Sequence, residues 1–141
     1  MPRWRGEVVA VLLTHRGRLC LLRRSDAVAS DRGRWHCVTG YLPPGTVPQR
    51  QAELELAEET GLSRAKLASF DAGPALRLPD PRGGQWLVHL FCGETTGTEL
   101  TLNWENDDFV WCAPAAWRAL PIVDWLPDVV SALAGCGRAG T

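Results

Sequence analysis

Three carboxylates in this sequence, Glu55, Glu58 and Glu59, sit at spacings that a helix would bring together. Residues three and four apart share a helix face. At about 100° per residue, the trio spreads over roughly 100° of the surface. Glu53 points away from it, while Ala52 and Leu56 flank one edge and Leu54 and Ala57 lie on the other side. Like charges on one stripe cost a helix a few tenths of a kcal/mol per pair. They also crowd the C-terminal half, where the macrodipole disfavours anions. A helix built for stability would carry lysines there. A hard divalent cation removes the conflict, because Mg²⁺ takes oxygen ligands and often shares them with substrate phosphates. The charge pattern alone fits a solvated acidic face equally well.

The helix that must carry these groups runs from Val47 to Thr60, with Pro48 in its first turn and Gly61 just past its end. Its start has two readings: Thr46 as N-cap with Gln49 completing a capping box, or Val47 as a poor cap before Pro48. Upstream, residues 7–14 and 18–24 read as a β-hairpin around His15-Arg16-Gly17. Residues 25–34 read as a loop, 35–39 as a short strand and Gly40–Gly45 as a rigid turn-rich loop. Downstream, strands are predicted at 66–72, 85–93, 98–103 and 109–112. A Pro/Gly/Arg-rich loop spans 74–84 and an acidic loop 104–108. Helices are predicted at 114–120 and 122–134, the second bent at Pro127, before a frayed Gly-rich tail at 135–141. Alternating strands and helices with hairpins indicate an α/β (α+β) fold, a mixed sheet packed by helices.

The chain has 141 residues, 45% apolar and 22% charged, which suits one globular domain over 1–141 and excludes disorder. A formal charge of −1 gives no reason to expect a nucleic-acid polymer as partner. It leaves room for a small polyanion. The apolar stretch Val8–Leu13 is too short to span a membrane. Five cysteines, an odd number without CxxC spacing, suggest neither a disulfide framework nor a zinc site. Reduced thiols in a cytoplasm are the simplest expectation. Most of the seven tryptophans read as packing anchors, with Trp35 and Trp86 as candidate base platforms. His15, His36 and His89 lack metal-ligand spacing and receive no site role.

The segment Gly40–Leu62, GYLPPGTVPQRQAELELAEETGL, resembles the Nudix box G-x5-E-x7-R-E-U-x-E-E-x-G-U, where U is aliphatic. Gly40 takes the first glycine. Glu55, Leu56, Glu58, Glu59, Gly61 and Leu62 take the run E-U-x-E-E-x-G-U, without a gap. The resemblance implies an α/β/α sandwich with a mixed sheet. It also implies hydrolysis of a nucleoside diphosphate linked to another moiety, with Mg²⁺, or Mn²⁺ in its place. Metal ligands would be Gly40 through its carbonyl, Glu55, Glu58, Glu59 and Glu105 of the acidic loop, with Asp107 and Asp108 behind it. The base would be Glu58, Glu59 or Glu105. Arg23 and Arg24, closing the second strand, would bind phosphate through the guanidinium fork.

Two positions depart from the box: its first glutamate is Thr46 and its arginine is Leu54. In the family these two generally pair. Losing both partners to an apolar replacement can be neutral, where losing one leaves a buried charge unpaired. Thr46 with Leu54 therefore reads as a repacked scaffold. The departure keeps a second hypothesis open: a Nudix-fold nucleotide-binding or regulatory protein with little hydrolysis. The substrate is not legible, although Pro79 lies about where ADP-ribose-directed members place a proline. The N-terminal region and the 74–84 loop are expected to set specificity. A homodimer is left open.

Overall fold

The computed structural model describes residues 4–134. Among the described residues, seven strands form one mixed sheet: β1 (Trp4–His15), β2 (Arg18–Arg24), β3 (Trp35–His36), β4 (Val38–Tyr41), β5 (Leu67–Pro79), β6 (Gln85–Thr95) and β7 (Asn106–Cys112). Their main path is β3-β2-β1-β6-β5, with β4 on β1 and β7 on β2. Strands β1 and β6 are parallel, and every other pairing is antiparallel. Helices α1 (Pro48–Thr60) and α2 (Leu126–Ala132) cover opposite faces, as the two core clusters show.

β1 is central, and its unbroken apolar run reflects burial on both faces. Successive side chains alternate. Val9, Val11 and Leu13 pack with Ala52 and Leu56 of α1. Ala10 and Leu12 pack with Leu126 and Val129 of α2. The β1–β2 turn has positive φ at Arg16 (49°) and Gly17 (81°), the type I′ geometry that matches strand twist.

The expected strand 35–39 divides at Cys37. β3 pairs with β2, whereas β4 pairs with β1 and continues through Gly40 into Tyr41. The expected 74–84 loop is mostly strand: β5 reaches Pro79, leaving a turn at 80–84. A register shift between Ala72 and Ala75 accommodates Pro74. Proline is tolerated there because β5 is an edge strand. Residues 98–103 form no strand, and the Thr101 amide instead bonds the Thr60 carbonyl. The acidic loop is shorter than expected, since β7 begins at Asn106. Of the helix expected at 114–120, a 3₁₀ turn at Ala116–Ala119 forms. α2 starts only at Leu126, so Pro127 lies in its first turn and bends nothing. The 135–141 tail lies outside the described residues.

α1 starts at Val47, which offers no side-chain cap, so the capping box does not form. Its end is better specified. Gly61 takes φ 74°, and its amide bonds the Ala57 carbonyl. Cys20, Cys37 and Cys112 are buried thiols. Cys92 departs from the expectation of reduced thiols, because it is disulfide-bonded. Sequence spacing carries no signal for such a bond, which depends on where the fold brings two β-carbons.

Gly61→Ala is expected to lose about 1–2 kcal/mol, the cost of a left-handed L-residue. A β-carbon there would also meet Thr101 at 3.1 Å. A urea midpoint unchanged from the parent would contradict this account of the helix end.

Candidate active site

The end of β4 and the middle of α1 meet at Gly40 and Glu55. A β-carbon on Gly40 would overlap the Glu55 carboxyl group, so only glycine lets the helix lay this side chain across the strand. Gln51, one turn earlier, donates to Glu55 Oε1 at 3.0 Å. Glu55, Glu58 and Glu105 line one cleft of about 520 Å³ with Gly40 and Arg24. Glu59 does not line it. It is fully buried beneath, takes a 3.3 Å hydrogen bond from Asn106 Nδ2 on Oε1, and has no partner for Oε2.

Burial pushes the Glu59 carboxyl up to about 9, helped by the charges of Glu105 and Glu55. The same cause, burial first, raises Glu55; Glu58 and Glu105 add to it, and bonds from Gln51 and Glu59 oppose it. The Glu59 carboxyl is thereby held in its neutral form beside Glu55. A bound cation would reverse this preference and favour the ionised carboxylate. No three His, Cys, Asp or Glu among the described residues already converge as a metal cage. The donor set nonetheless suits a hard cation: carboxylates on one cleft, a backbone strand end at Gly40, and one buried unpaired oxygen.

Glu105 owes its place to the end of β2. Its carbonyl accepts from the Ser25 amide at 2.8 Å, and Ser25 Oγ donates to the Trp104 carbonyl at 2.6 Å. Asn103 Nδ2 donates to Glu105 Oε1 at 3.2 Å. The neighbouring acids do other work. Asp107 binds Arg23 Nε at 2.7 Å, and Asp108 accepts from the Phe109 amide.

The two candidate arginines part company because adjacent strand residues face opposite ways. Arg24 lines the cleft, its Nε donating to the Ser30 carbonyl at 2.9 Å. Arg23 stands outside the lining, paired with Asp107 and 5.8 Å above the Trp35 ring. Trp35 is likewise outside the cleft and buried, whereas Trp86 lines it. The expectation of a repacked scaffold at Thr46 and Leu54 is corrected. Leu54 is 50% exposed, so it fills no buried slot.

Sequence reasoning gave no role to His36 or Asn106, yet both are buried behind the carboxylates. His36 Nε2 bonds Asn106 Oδ1 at 2.7 Å. The acceptor fixes the neutral ring's proton on Nε2. It also turns the Asn106 amide so that Nδ2 faces Glu59. Burial is the main reason the imidazole is held down at about 4. These partners lie 70 residues apart, and nothing local in the chain marks them.

The NUDIX domain family model matches residues 3–133, nearly the whole chain. The chain belongs to the Nudix hydrolase family. Solved structures agree on the fold. The MutT protein from Methanosarcina mazei Go1 superposes with a TM-score of 0.76 at 18% identity, covering 92% of each chain. The E. coli dihydroneopterin triphosphate pyrophosphohydrolase gives 0.74 at 17%, covering 93% of this chain and 96% of that one. The Nudix domain of Shewanella oneidensis NrtR, complexed with ADP-ribose, gives 0.74 at 14%, covering 89% and 84%. No curated protein sequence matches the chain.

His36 makes stability pH-dependent in a defined window. The unfolded chain takes up this proton near pH 6.5, while the folded chain resists it down to about 4. The His36 contribution is therefore constant above 6.5 and is lost as pH drops from 6.5 towards 4, by on the order of 3 kcal/mol. His36→Gln should remove this loss from a urea-midpoint profile. An unchanged slope in the variant would remove His36 as its source.

Proposed function

We propose that this chain hydrolyses a phosphoanhydride bond in a nucleoside diphosphate linked to another moiety, using Mg²⁺ or, in its place, Mn²⁺. The observation that carries the reading is Glu55 laid over Gly40 on the same cleft as Glu58, Glu105 and Arg24. Gly40, Glu55, Glu58, Glu59 and Glu105 would hold the metal. When bound, it would neutralise the diphosphate oxygens and acidify a bound water. Arg24 would anchor a phosphate by its fork, whereas Arg23 is engaged by Asp107 outside the cleft lining. Glu58 or Glu105 takes the proton from water, since each reaches the cleft. Glu59 would act from beneath: Asn106 holds its Oε1, and its Oε2 has no protein partner.

The natural partner is a small nucleotide. A single domain over 1–141 and a cytoplasmic setting belong to the same reading, which is compatible with a homodimer. No helix among the described residues is long and apolar enough to cross a membrane. A second reading, nucleotide binding with little turnover, draws on Thr46 and Leu54. Leu54 is half exposed on α1, where the box has an arginine.

A panel of dNTPs, ADP-ribose, NADH, dinucleoside polyphosphates and nucleotide sugars, assayed with and without metal, decides between these readings. Turnover with Mg²⁺ or Mn²⁺ that EDTA abolishes is expected. Glu59→Gln should lower it by about 100-fold or more. Asn106→Leu should cost about 10–100-fold in metal affinity or rate, the usual toll of removing a ligand's support. Wild-type rates in Glu59→Gln would sink the site assignment. Nucleotide binding without turnover across the panel would favour the second reading.

A further inference from the structure

The carboxylates and Arg24 account for one end of the cleft; the other end is apolar, and its composition follows from sheet register. Directly opposed residues on neighbouring strands share a face. Val8 of β1 lies opposite Tyr41 of β4 and Val88 of β6. Two residues back, Gly6 lies opposite Trp86 of β6, which lies opposite Leu78 of β5. Tyr41, Val8, Val88, Trp86 and Leu78 therefore form one continuous floor, and all five line the cleft. Gly40, beneath Glu55, is the strand neighbour of Tyr41. Gly40 is in register with Val9 and Trp86 with Gly6, so about 10 Å of strand separates the two levels.

Hydrogen bonds brace one edge of this floor. Trp86 Nε1 donates to Asp80 Oδ2 at 2.9 Å. Asp80 Oδ1 accepts from the Arg82 amide at 2.8 Å and Arg82 Nε at 3.3 Å. Arg5 closes the cluster, donating to the Gly83 carbonyl at 2.7 Å and the Arg82 carbonyl at 3.2 Å. The tip of the β5–β6 hairpin thus fixes the edge of the indole. Gly6 leaves room for its face, since a β-carbon there would lie 3.0 Å from Trp86 Cζ3. The Tyr41 ring stands 5.8 Å away, tilted by 42°. It is nevertheless 71% exposed. A rigid indole beside an exposed phenol, at the mouth of a cleft whose other end is charged, is an aromatic surface awaiting a flat partner.

We propose that Trp86 and Tyr41 form a stacking platform for the planar heterocycle of the substrate, the base of a nucleotide whose phosphates lie at the carboxylate end. This rests on the hydrolase reading for the phosphate end and assigns the residues that receive the ring. Asp80 is a positioning residue, holding the indole at its nitrogen.

The test is calorimetry on the full chain with AMP and with ribose 5-phosphate, which share the sugar phosphate and differ in the ring. The parent should bind AMP about ten-fold or more tighter, the contribution of one stacked base. Tyr41→Ala and Trp86→Leu should each weaken AMP by about five-fold or more and leave ribose 5-phosphate unchanged. Equal affinity for the two probes in the parent would overturn the platform. So would AMP binding at the parent level in Tyr41→Ala and in folded Trp86→Leu. If Trp86→Leu does not fold, Tyr41→Ala decides alone, since its exposed ring bears no core. Turnover on the substrate panel separates the two claims. Ring-dependent binding with no turnover would end the hydrolase reading and keep the platform. Turnover with AMP binding insensitive to both substitutions would do the reverse.

Discussion

Glu59 is a carboxylic acid with no exposed surface, one amide donor and one oxygen without a partner. Moving an ionised carboxylate out of water costs several kcal/mol unless charge or hydrogen bonds replace the lost solvent. Much of the surrounding structure answers that demand. Asn106 supplies the amide, and His36 orients it. Gly40 leaves the space in which Glu55 can lie beside Glu59. Each group would be unremarkable at the surface. Together they make a site that is over-supplied with negative charge until a proton or a cation enters it.

That demand explains why the fold is divided as it is. α1 lies close enough to β4 for a carboxylate to cross a glycine, and its inner stripe of Ala52 and Leu56 seals it against β1. The central position of β1 gives both helices a firm wall, because its two faces feed two separate cores. The polar and apolar halves of the cleft then meet where β4 ends, at Gly40 and Tyr41. The charged groups come from one side of this boundary and the aromatic floor from the other. Adjacent residues on a strand can serve different chemistry because they point to opposite faces.

The elements that could be read from the chain alone were those whose signals are local. α1, the glycine at its end, the β1–β2 hairpin and the in-register glutamates each rest on neighbours within a few residues. Spacing in the box, joined to the helical stripe, was enough to expect Glu55, Glu58 and Glu59 near one metal and a mixed sheet around them. Proline and glycine misled the reading of 74–84, because the chain does not announce that β5 is an edge strand where a missing amide is harmless. The apolar alternation at 98–103 misled in the other direction, for lack of a strand to pair with.

Tertiary structure decided what depends on partners far apart in the chain. Whether Arg23 or Arg24 faces the cleft turns on strand register, which a one-residue slip would reverse. The His36–Asn106 bond joins residues 70 positions apart, and the Tyr41–Trp86 platform spans β4, β1 and β6. No periodicity encodes these meetings, since a sequence displays only the order of its side chains while pairing and burial arise when the sheet closes. The sequence by itself determined which carboxylates would share a helix face. The fold alone determined that one of them, Glu59, would be sealed from water, and so which oxygen lacks a partner.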